Sequence, residues 1–424
     1  MRPTAADASA VQAADTTASS STSSSLADRL LAARVQRTLD AANVRLVLWD
    51  GSSPFARGEP PVASIAVRDR RVLLGLIANP DLYFGEAYMT GRLRVDGALD
   101  RLLEALSAMG PRQASWRDRV AARLAWANTL SASRNNVHRH YDLGNDFYRL
   151  WLDDQLVYTC AYFADPGMSL EEAQRAKLDL VCRKLALRPG ESVVEAGCGW
   201  GALALHMARH YGVRVTAFNI SREQIAFARE RAQREGLASR VEFVDDDYRN
   251  VSGRCDVFVS VGMLEHVGRR RLGALAAVLR RTVRRDGGRG LLHFIGRDTP
   301  APLNPWIRRR IFPGAYPPTV AEVALKTLAP AAMSMIDVEN LRLHYARTLG
   351  HWRTRFTAAS DIVSRQFGDE FRRAWDLYLA GSQAAIATGW MQLFQIVFAP
   401  TESRPPFWTR ERVYVAAPGP RPEV

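Results

Sequence analysis

From residue 170 onward the apolar positions follow two rhythms. Apolar residues recur every three to four positions over 170–184, 202–211, 222–235 and 269–283, which predicts helices. Short apolar runs at 192–196, 214–218, 240–244, 255–259 and 290–294 predict strands between them. Strands and helices that alternate over short connections build a parallel, doubly wound α/β sheet. Ligands of such sheets sit at the carboxyl ends of the strands, where the winding reverses.

The flanks follow other patterns. Residues 1–25 are mostly Ser, Thr and Ala, a composition that buries no core and predicts a disordered tail. Residues 26–110 read as a small α+β domain. Helices are expected at 26–41 and 99–109, and strands at 44–49, 62–68 and 71–77, with a turn-rich aromatic stretch at 80–91. Residues 111–139 form a basic linker whose amphipathic stretch, 116–130, suits either a solvated or a membrane-facing helix. The main domain is expected over 140–400. Its last part, 320–398, reads as mostly helical with a final strand at 393–398. Residues 401–424 are rich in Pro and Arg and are expected to fray.

Composition narrows the function. The 424 residues allow two domains, and 47% hydrophobic with 24% charged residues is ordinary for a globular chain. The net charge is +13, from 57 Lys and Arg against 44 Asp and Glu, which suits an anionic surface or nucleic acid. No nucleic-acid module accompanies it. No apolar run is long enough to span a bilayer, and residues 1–25 lack the apolar core of a secretory signal. Cys160, Cys182, Cys198 and Cys255 have no metal-ligand spacing and no disulfide density. A reducing cytoplasm and no metal site are expected.

The candidate chemistry lies at strand ends. The strand at 192–196 runs into Gly197-Cys198-Gly199-Trp200-Gly201 before a helix. Glycines there let a ligand approach backbone N–H groups at a helix start. The spacing is Gly-x-Gly-x-Gly rather than the dinucleotide Gly-x-Gly-x-x-Gly. That favours a nucleoside-bearing cofactor such as S-adenosylmethionine over NAD, although a strand that merely ends at glycines looks the same. An acid that reads ribose is expected about 20 residues later. Asn219 holds that place, leaving the hydroxyls to Asn219 and Gln224, while Ser221 also makes a good N-cap. Asp247-Tyr248-Arg249 offers an acid and an aromatic face for adenine, or simply an acidic loop. Glu265 ends the fourth strand and His293 lies in the fifth. A lone strand histidine is usually a core residue, a reading that weakens beside Glu265. His266 must face another way than its neighbour Glu265. The aromatic segments 140–148 and 152–163 either pack on the sheet or cover the cofactor as a lid.

His140 to Tyr148, Tyr158 to Phe163, Glu195 to Gly201, Ser221 to Gln224, Asp247 to Arg249, Glu265 to Gly268 and His293 to Gly296 occur in an order and spacing that are specific. From about residue 80 to 398 the chain resembles the cyclopropane-fatty-acyl-phospholipid synthase family. Its N-terminal region resembles the small lipid-associated domain of the longer, bacterial members. The resemblance implies a Rossmann-like class I methyltransferase sheet with a smaller N-terminal α+β domain. It implies transfer of a methylene unit from S-adenosylmethionine to the cis double bond of an unsaturated phospholipid acyl chain. An alkene is a weak nucleophile, so it must be held in line with the sulfonium methyl. The carbocation left behind needs a dry, aromatic-lined site. A base must then remove a proton so that the ring closes. In the family that base is bound bicarbonate, whose holders carry over to Cys160, Glu265, His293, the backbone of Ile295, and Tyr345. Cofactor contacts carry over to Tyr158, Thr159, Gly197, Gly199, Asn219, Gln224, Tyr248 and Arg249. Asn219 departs from the family's more frequent Thr, and Glu195 from its usual Asp. Ser382 stands where many members have Cys, and 386–388 lacks the usual Phe-Arg, in a region expected to line the acyl channel.

Asn304 to Pro313 joins Trp306 and Phe312 to Arg308, Arg309 and Arg310. This stretch is expected to stand on an anionic bilayer, with aromatics at the interface and arginines on headgroups. The expected protein is cytoplasmic and peripheral at the inner face of the bacterial membrane, binds unsaturated phospholipid, and is a possible homodimer. Three rivals remain: a related enzyme with a methyl-branched or methylene product, a methyltransferase for a soluble small molecule, and a non-catalytic lipid-binding scaffold.

Overall fold

The structure is a computed structural model that describes residues 23–55, 59–109 and 143–414. Most of the expected N-terminal tail, the amphipathic stretch at 116–130, and His140, Tyr141 and Asp142 lie outside the described residues. The four cysteines are buried and free.

The N-terminal layer opens with the helix Leu26–Leu39. The Ser25 hydroxyl accepts from Asp28 N–H at 3.2 Å, and the Asp28 carboxylate accepts from Ser25 N–H at 3.1 Å. This reciprocal cap satisfies donors that a helix start leaves unpaired. Strands β1 (Val44–Val47), β2 (Ala63–Val67) and β3 (Leu93–Asp96) form a small sheet. β1 and β2 are parallel and β3 is antiparallel to β2. The sequence pattern did not predict β3. Two other expectations fail here. The run at 71–77, read as a strand, is the helix Arg70–Ala78, and the turn-rich 80–91 is mostly the helix Pro80–Met89. Their caps explain why. Asp69 Oδ1 accepts from the N–H groups of Arg71 and Val72, and Asn79 Oδ1 from Leu82 N–H. Pro80 takes the first helical position, where its missing N–H is no loss. A short apolar run does not separate helix from strand, whereas a cap does.

The main sheet has seven strands in the order β6-β5-β4-β7-β8-β10-β9. These are β4 (Ser192–Ala196), β5 (Arg214–Asn219), β6 (Val241–Asp245), β7 (Val257–Val261), β8 (Arg289–Gly296), β9 (Met333–Asn340) and β10 (Gln392–Pro400). β4 to β8 are parallel, and β10 runs antiparallel to both β8 and β9. The winding reverses between β4 and β7, which puts a ligand crevice at their carboxyl ends. All five β7 residues are buried, because helices cover both faces of a parallel sheet. β9 lies in a stretch expected to be helical, and its mixed burial is that of an edge strand. The segment after β10 does not fray where it is described. It returns along β9, where Arg410 pairs with Asp337 and the buried Val413 accepts from Arg183 Nε at 2.8 Å.

The expected bilayer foot at 304–313 is instead the joint between the two layers. Asn304 caps the helix Pro305–Arg310. Trp306 is only 3% exposed and lies so close to Gly85 that a Cβ there would come within 2.4 Å of its ring. Arg310 grips both oxygens of Glu86, at 2.8 and 2.5 Å. Trp306 is therefore committed inside the protein and Arg310 is tied to the N-terminal layer, although Arg309 and Arg310 both stay exposed. Gly85→Ala is expected to displace the indole and destabilise the fold by about 1–3 kcal/mol. Glu86→Ala removes a partly exposed ion pair and is expected to cost about 0.2–1 kcal/mol. Urea unfolding of both variants checks that order.

Candidate active site

The carboxyl ends of the central strands surround a cavity of about 170 Å³. One buried water needs only ~10–15 Å³, so this space is sized for a ligand of many atoms. All eight residues expected to contact the cofactor line it. Gly197 and Gly201 both have φ of +84°, and a Cβ would meet Met263 at 2.9 Å and the Phe243 ring at 2.7 Å respectively. Only glycine suits both backbone and neighbours there. The N–H groups of Gly197 and Cys198 both donate to the Phe218 carbonyl, at 2.9 and 3.1 Å. They tie β4 to β5, so the expected ligand cradle does not include these two donors.

Asn219 ends β5. Its Oδ1 accepts from Ile220 N–H at 2.8 Å, and its Nδ2 donates to Gln224 Oε1 at 2.7 Å. That leaves Gln224 Nε2 buried without a partner. Buried polar groups are nearly always paired, so this amide is a donor set for a ligand acceptor. Tyr248 and Arg249 both line the cavity, and the Arg249 guanidinium is held by its neighbour. Two 2.7 Å bonds clamp its guanidinium to Asp247, which braces the loop. His266 lines the cavity while Glu265 turns away, as their adjacency requires. The two aromatic segments divide the roles proposed for them. Phe147, Tyr148 and Trp151 are packed in the core, whereas Tyr158 and Thr159 form cavity wall.

Lys177 is the residue that the motifs missed. It extends from the helix Leu170–Lys184, is 2% exposed, and donates from Nζ to Thr159 Oγ1 at 2.8 Å. Burial pulls its pKa down to about 8, opposed by Cys160, Asp153 and Glu195. Glu195 is likewise buried on the cavity wall, its pKa pushed up to about 8 by burial, and its Oε2 has no partner. A signal was present. Leu170, Ala173, Gln174, Lys177, Leu178 and Val181 follow the helical period of one buried face, and Lys184 lies on it too.

The five expected anion holders gather beside this cavity, around the β8–β10 pair. Glu265 Oε1 accepts from Ile295 N–H at 2.5 Å, and its Oε2 is buried without a partner. Burial raises the carboxyl to about 7, against the pull of that N–H. The Ile295 N–H is thus engaged by Glu265 and acts through it. Lys184, itself paired with Glu339, donates to Gln395 Oε1 at 2.7 Å. The Gln395 amide nitrogen therefore turns to His293 Nδ1, 3.0 Å away. A neutral imidazole that accepts at Nδ1 carries its proton on Nε2. Burial keeps the ring neutral, and that Nε2 is buried and unpartnered. Burial also drives the Cys160 thiol far up, so it stays protonated and donates to the Ala161 carbonyl at 3.1 Å. Leu341 links the remaining members. Its carbonyl lies 4.0 Å from Cys160 Sγ and accepts from Tyr345 N–H at 3.1 Å. Its N–H donates to Leu393, which pairs with Ile295 in the sheet register. Aromatic rings close the region: Tyr148, Trp151 and Trp352 lie 5.7, 5.1 and 5.3 Å from the Tyr158 ring.

The tautomer is testable. A carboxylate in place of Gln395 would accept from Nδ1, so Gln395→Glu is expected to move the His293 proton from Nε2 to Nδ1. Nitrogen-15 chemical shifts of His293 in the two proteins check this. Unchanged shifts would break the link through Lys184.

The comparisons agree with this geometry. The family model for mycolic acid cyclopropane synthetase matches residues 128–396, and a domain of unknown function matches residues 33–110. A probable fatty acid methyltransferase of Pseudomonas putida is 35% identical over 390 residues, covering 88% of this chain and 96% of that protein. The cyclopropane-fatty-acyl-phospholipid synthase of Escherichia coli (strain K12) is 36% identical over 344 residues, covering 80% and 88%. A crystal structure of a mycolic acid cyclopropane synthase complexed with SAH and CTAB matches with a TM-score of 0.59 at 28% identity. That match covers 62% of this chain and 97% of the other. The sheet is the class I methyltransferase sheet expected from the sequence. The chain belongs to the mycolic acid cyclopropane synthetase family of S-adenosylmethionine-dependent methyltransferases.

Proposed function

We propose that this protein transfers a methylene unit from S-adenosylmethionine to the cis double bond of an unsaturated acyl chain in membrane phospholipid, closing a cyclopropane ring. The observation that carries ring closure is the pair of buried, unpartnered atoms Glu265 Oε2 and His293 Nε2. A ring closes only if the added methyl group loses a proton, and bicarbonate, when bound, supplies the base for it. The residues fit that ion. Bicarbonate has one O–H to donate and oxygens that accept. Glu265 offers an acceptor, His293 an N–H, and Cys160 and Tyr345 stand at hand as further polar groups. Ile295 N–H holds the Glu265 carboxylate in place.

The cavity suits the methyl donor. Gln224 Nε2 is a donor for a ribose hydroxyl, and Tyr248 a face for the base. SAH is bound in the related crystal structure. The Tyr158, Trp352 and Tyr345 rings exclude water and present π-faces to a developing cation. A peripheral place at the inner face of the bacterial membrane is part of the same proposal. Among the described residues no helix is long and apolar enough to cross a membrane, and the +13 charge favours an anionic surface. One observation favours a second reading, in which the product is a methyl-branched or methylene chain. The Pseudomonas putida relative, similar over nearly its whole length, is named a fatty acid methyltransferase.

Mass spectrometry separates the readings. The protein would be incubated with S-adenosylmethionine, bicarbonate and vesicles of monounsaturated phospholipid. A gain of one CH₂ with loss of the double bond and ring-specific fragments is expected. A branched or methylene chain of the same mass moves the conclusion to the second reading, and no gain refutes both. Glu265→Gln is expected to bind S-adenosylmethionine normally while turnover falls by roughly 10²-fold or more. Calorimetry and product counting check the two halves. The pH dependence has a definite sign. Glu265 must be ionised to accept a hydrogen bond, and its pKa lies near 7. At constant bicarbonate ion, turnover is expected to be level above that pH and to fall below it as the carboxyl protonates. A flat profile from acid to alkaline pH would show that Glu265 does not titrate in the reaction.

A further inference from the structure

Arg297 immediately follows β8 and continues the extended chain through a bridge to Thr319. Side chains alternate along a strand, so it shares a face with His293 and Ile295. It is 7% exposed, yet it forms no ion pair among the described residues, and its Nε is buried without an acceptor. Among the described residues no carboxylate compensates it. The Trp390 ring lies 5.4 Å from the guanidinium carbon, and the neutral phenol of Tyr316 is its other neighbour. The next residue, Asp298, accepts instead from Gln392 at 2.9 Å. Burial lowers the guanidinium to about 10, so it remains a cation at neutral pH. A buried charge without a partner is strongly unfavourable unless an anion joins it.

We propose that Arg297 seats the phosphodiester of the phospholipid substrate. This rests on the lipid reading above. The order of groups along the strand supports it. Glu265 and His293 mark the dry interior, where the acyl chain reacts. Arg297 stands roughly 7 Å beyond Ile295 along the chain. Exposed residues begin at Asp298. A molecule with an apolar tail inside and a phosphate at the rim has the same order. Guanidinium groups bind phosphate through two parallel N–H bonds, a geometry that an ammonium does not reproduce. Trp390 gives the glycerol and its ester groups an apolar wall. Tyr316 ties this rim to the reacting end, since its N–H donates to the Glu265 carbonyl at 2.8 Å.

The test compares two substrates with the same monounsaturated chains in neutral detergent: a phosphatidyl lipid and the diacylglycerol that lacks its phosphate. The readout is the ratio of kcat/KM between them. In Arg297→Met the preference for the phosphatidyl lipid is expected to fall at least tenfold, through KM, with diacylglycerol turnover unchanged. Arg297→Lys is expected to fall between, because it keeps the charge and loses the fork. Equal losses on both substrates would overturn the proposal and make Arg297 a brace of the core. An unchanged preference would overturn it too. If the Met variant does not fold, the Lys variant decides by the same ratio. Inorganic phosphate is the second probe. Phosphate that raises the melting temperature of the wild type but not of Arg297→Met, with the preference ratio unmoved, would mean a free-phosphate site and reject the lipid assignment. Wild-type protein that modifies neither substrate refutes the proposed function itself, which separates that failure from a failure of the Arg297 assignment.

Discussion

A buried ammonium organises both halves of the site. Lys177 donates to Thr159 on the cofactor cavity, and its field also reaches Cys160 and His293 among the anion holders. Burial disfavours the charge, and among the described residues no carboxylate pairs with it. Glu195 shares this wall, is likewise pushed toward its neutral form by burial, and has an unpartnered oxygen. Burial thus favours the neutral form of both groups, and leaves the wall with polar atoms that lack partners. One residue thus links the cavity wall at Thr159 to Cys160 and His293.

Sheet topology provides the second requirement. β10 enters antiparallel between β8 and β9, and its register brings Gln395 opposite His293. Only that neighbour lets Lys184, anchored by Glu339, choose the imidazole tautomer through the Gln395 amide. An added parallel strand would have brought other residues opposite β8. The late strand β10, which follows β9 only after three helices, therefore decides which histidine nitrogen is left without a partner.

Much of this was legible in the sequence, and the limits have physical causes. The β4 to β8 alternation reads well, because each element repeats its own period and connects locally. The glycines at 197, 199 and 201 read well, because backbone conformation leaves few substitutes. Helices Arg70–Ala78 and Pro80–Met89 were misread because apolar runs were weighed above the caps at Asp69 and Asn79, which were there to be seen. Trp306 was misread for a different reason. An aromatic beside three arginines matches an interfacial foot in one dimension. Its burial against Gly85, and the Arg310–Glu86 pair, depend on a distant segment that no local pattern reveals. The cofactor residues came from the resemblance, but their division of labour did not. Arg249 lines the cavity and is also clamped to Asp247, and the Gly197 and Cys198 N–H groups are sheet ties.

The joint at Trp306 also continues into the site. The segment that leaves it runs through Phe312, whose ring meets His266 and Tyr378 at 5.6 and 5.5 Å, to Pro313 on the cavity wall and Tyr316 at the Glu265 carbonyl. The N-terminal layer thus supports the wall that carries the reacting groups. That wall needs support, because it concentrates unsatisfied polar atoms: Gln224 Nε2, Glu195 Oε2, Glu265 Oε2, His293 Nε2 and Arg297 Nε. Each such atom costs about 1–3 kcal/mol of stability when nothing is bound. The balance is met elsewhere, in the fully buried β7 and the dense aromatic packing around Phe147 and Trp151. A fold that is densely packed in its interior and under-satisfied at its strand ends leaves polar atoms for a ligand to complete.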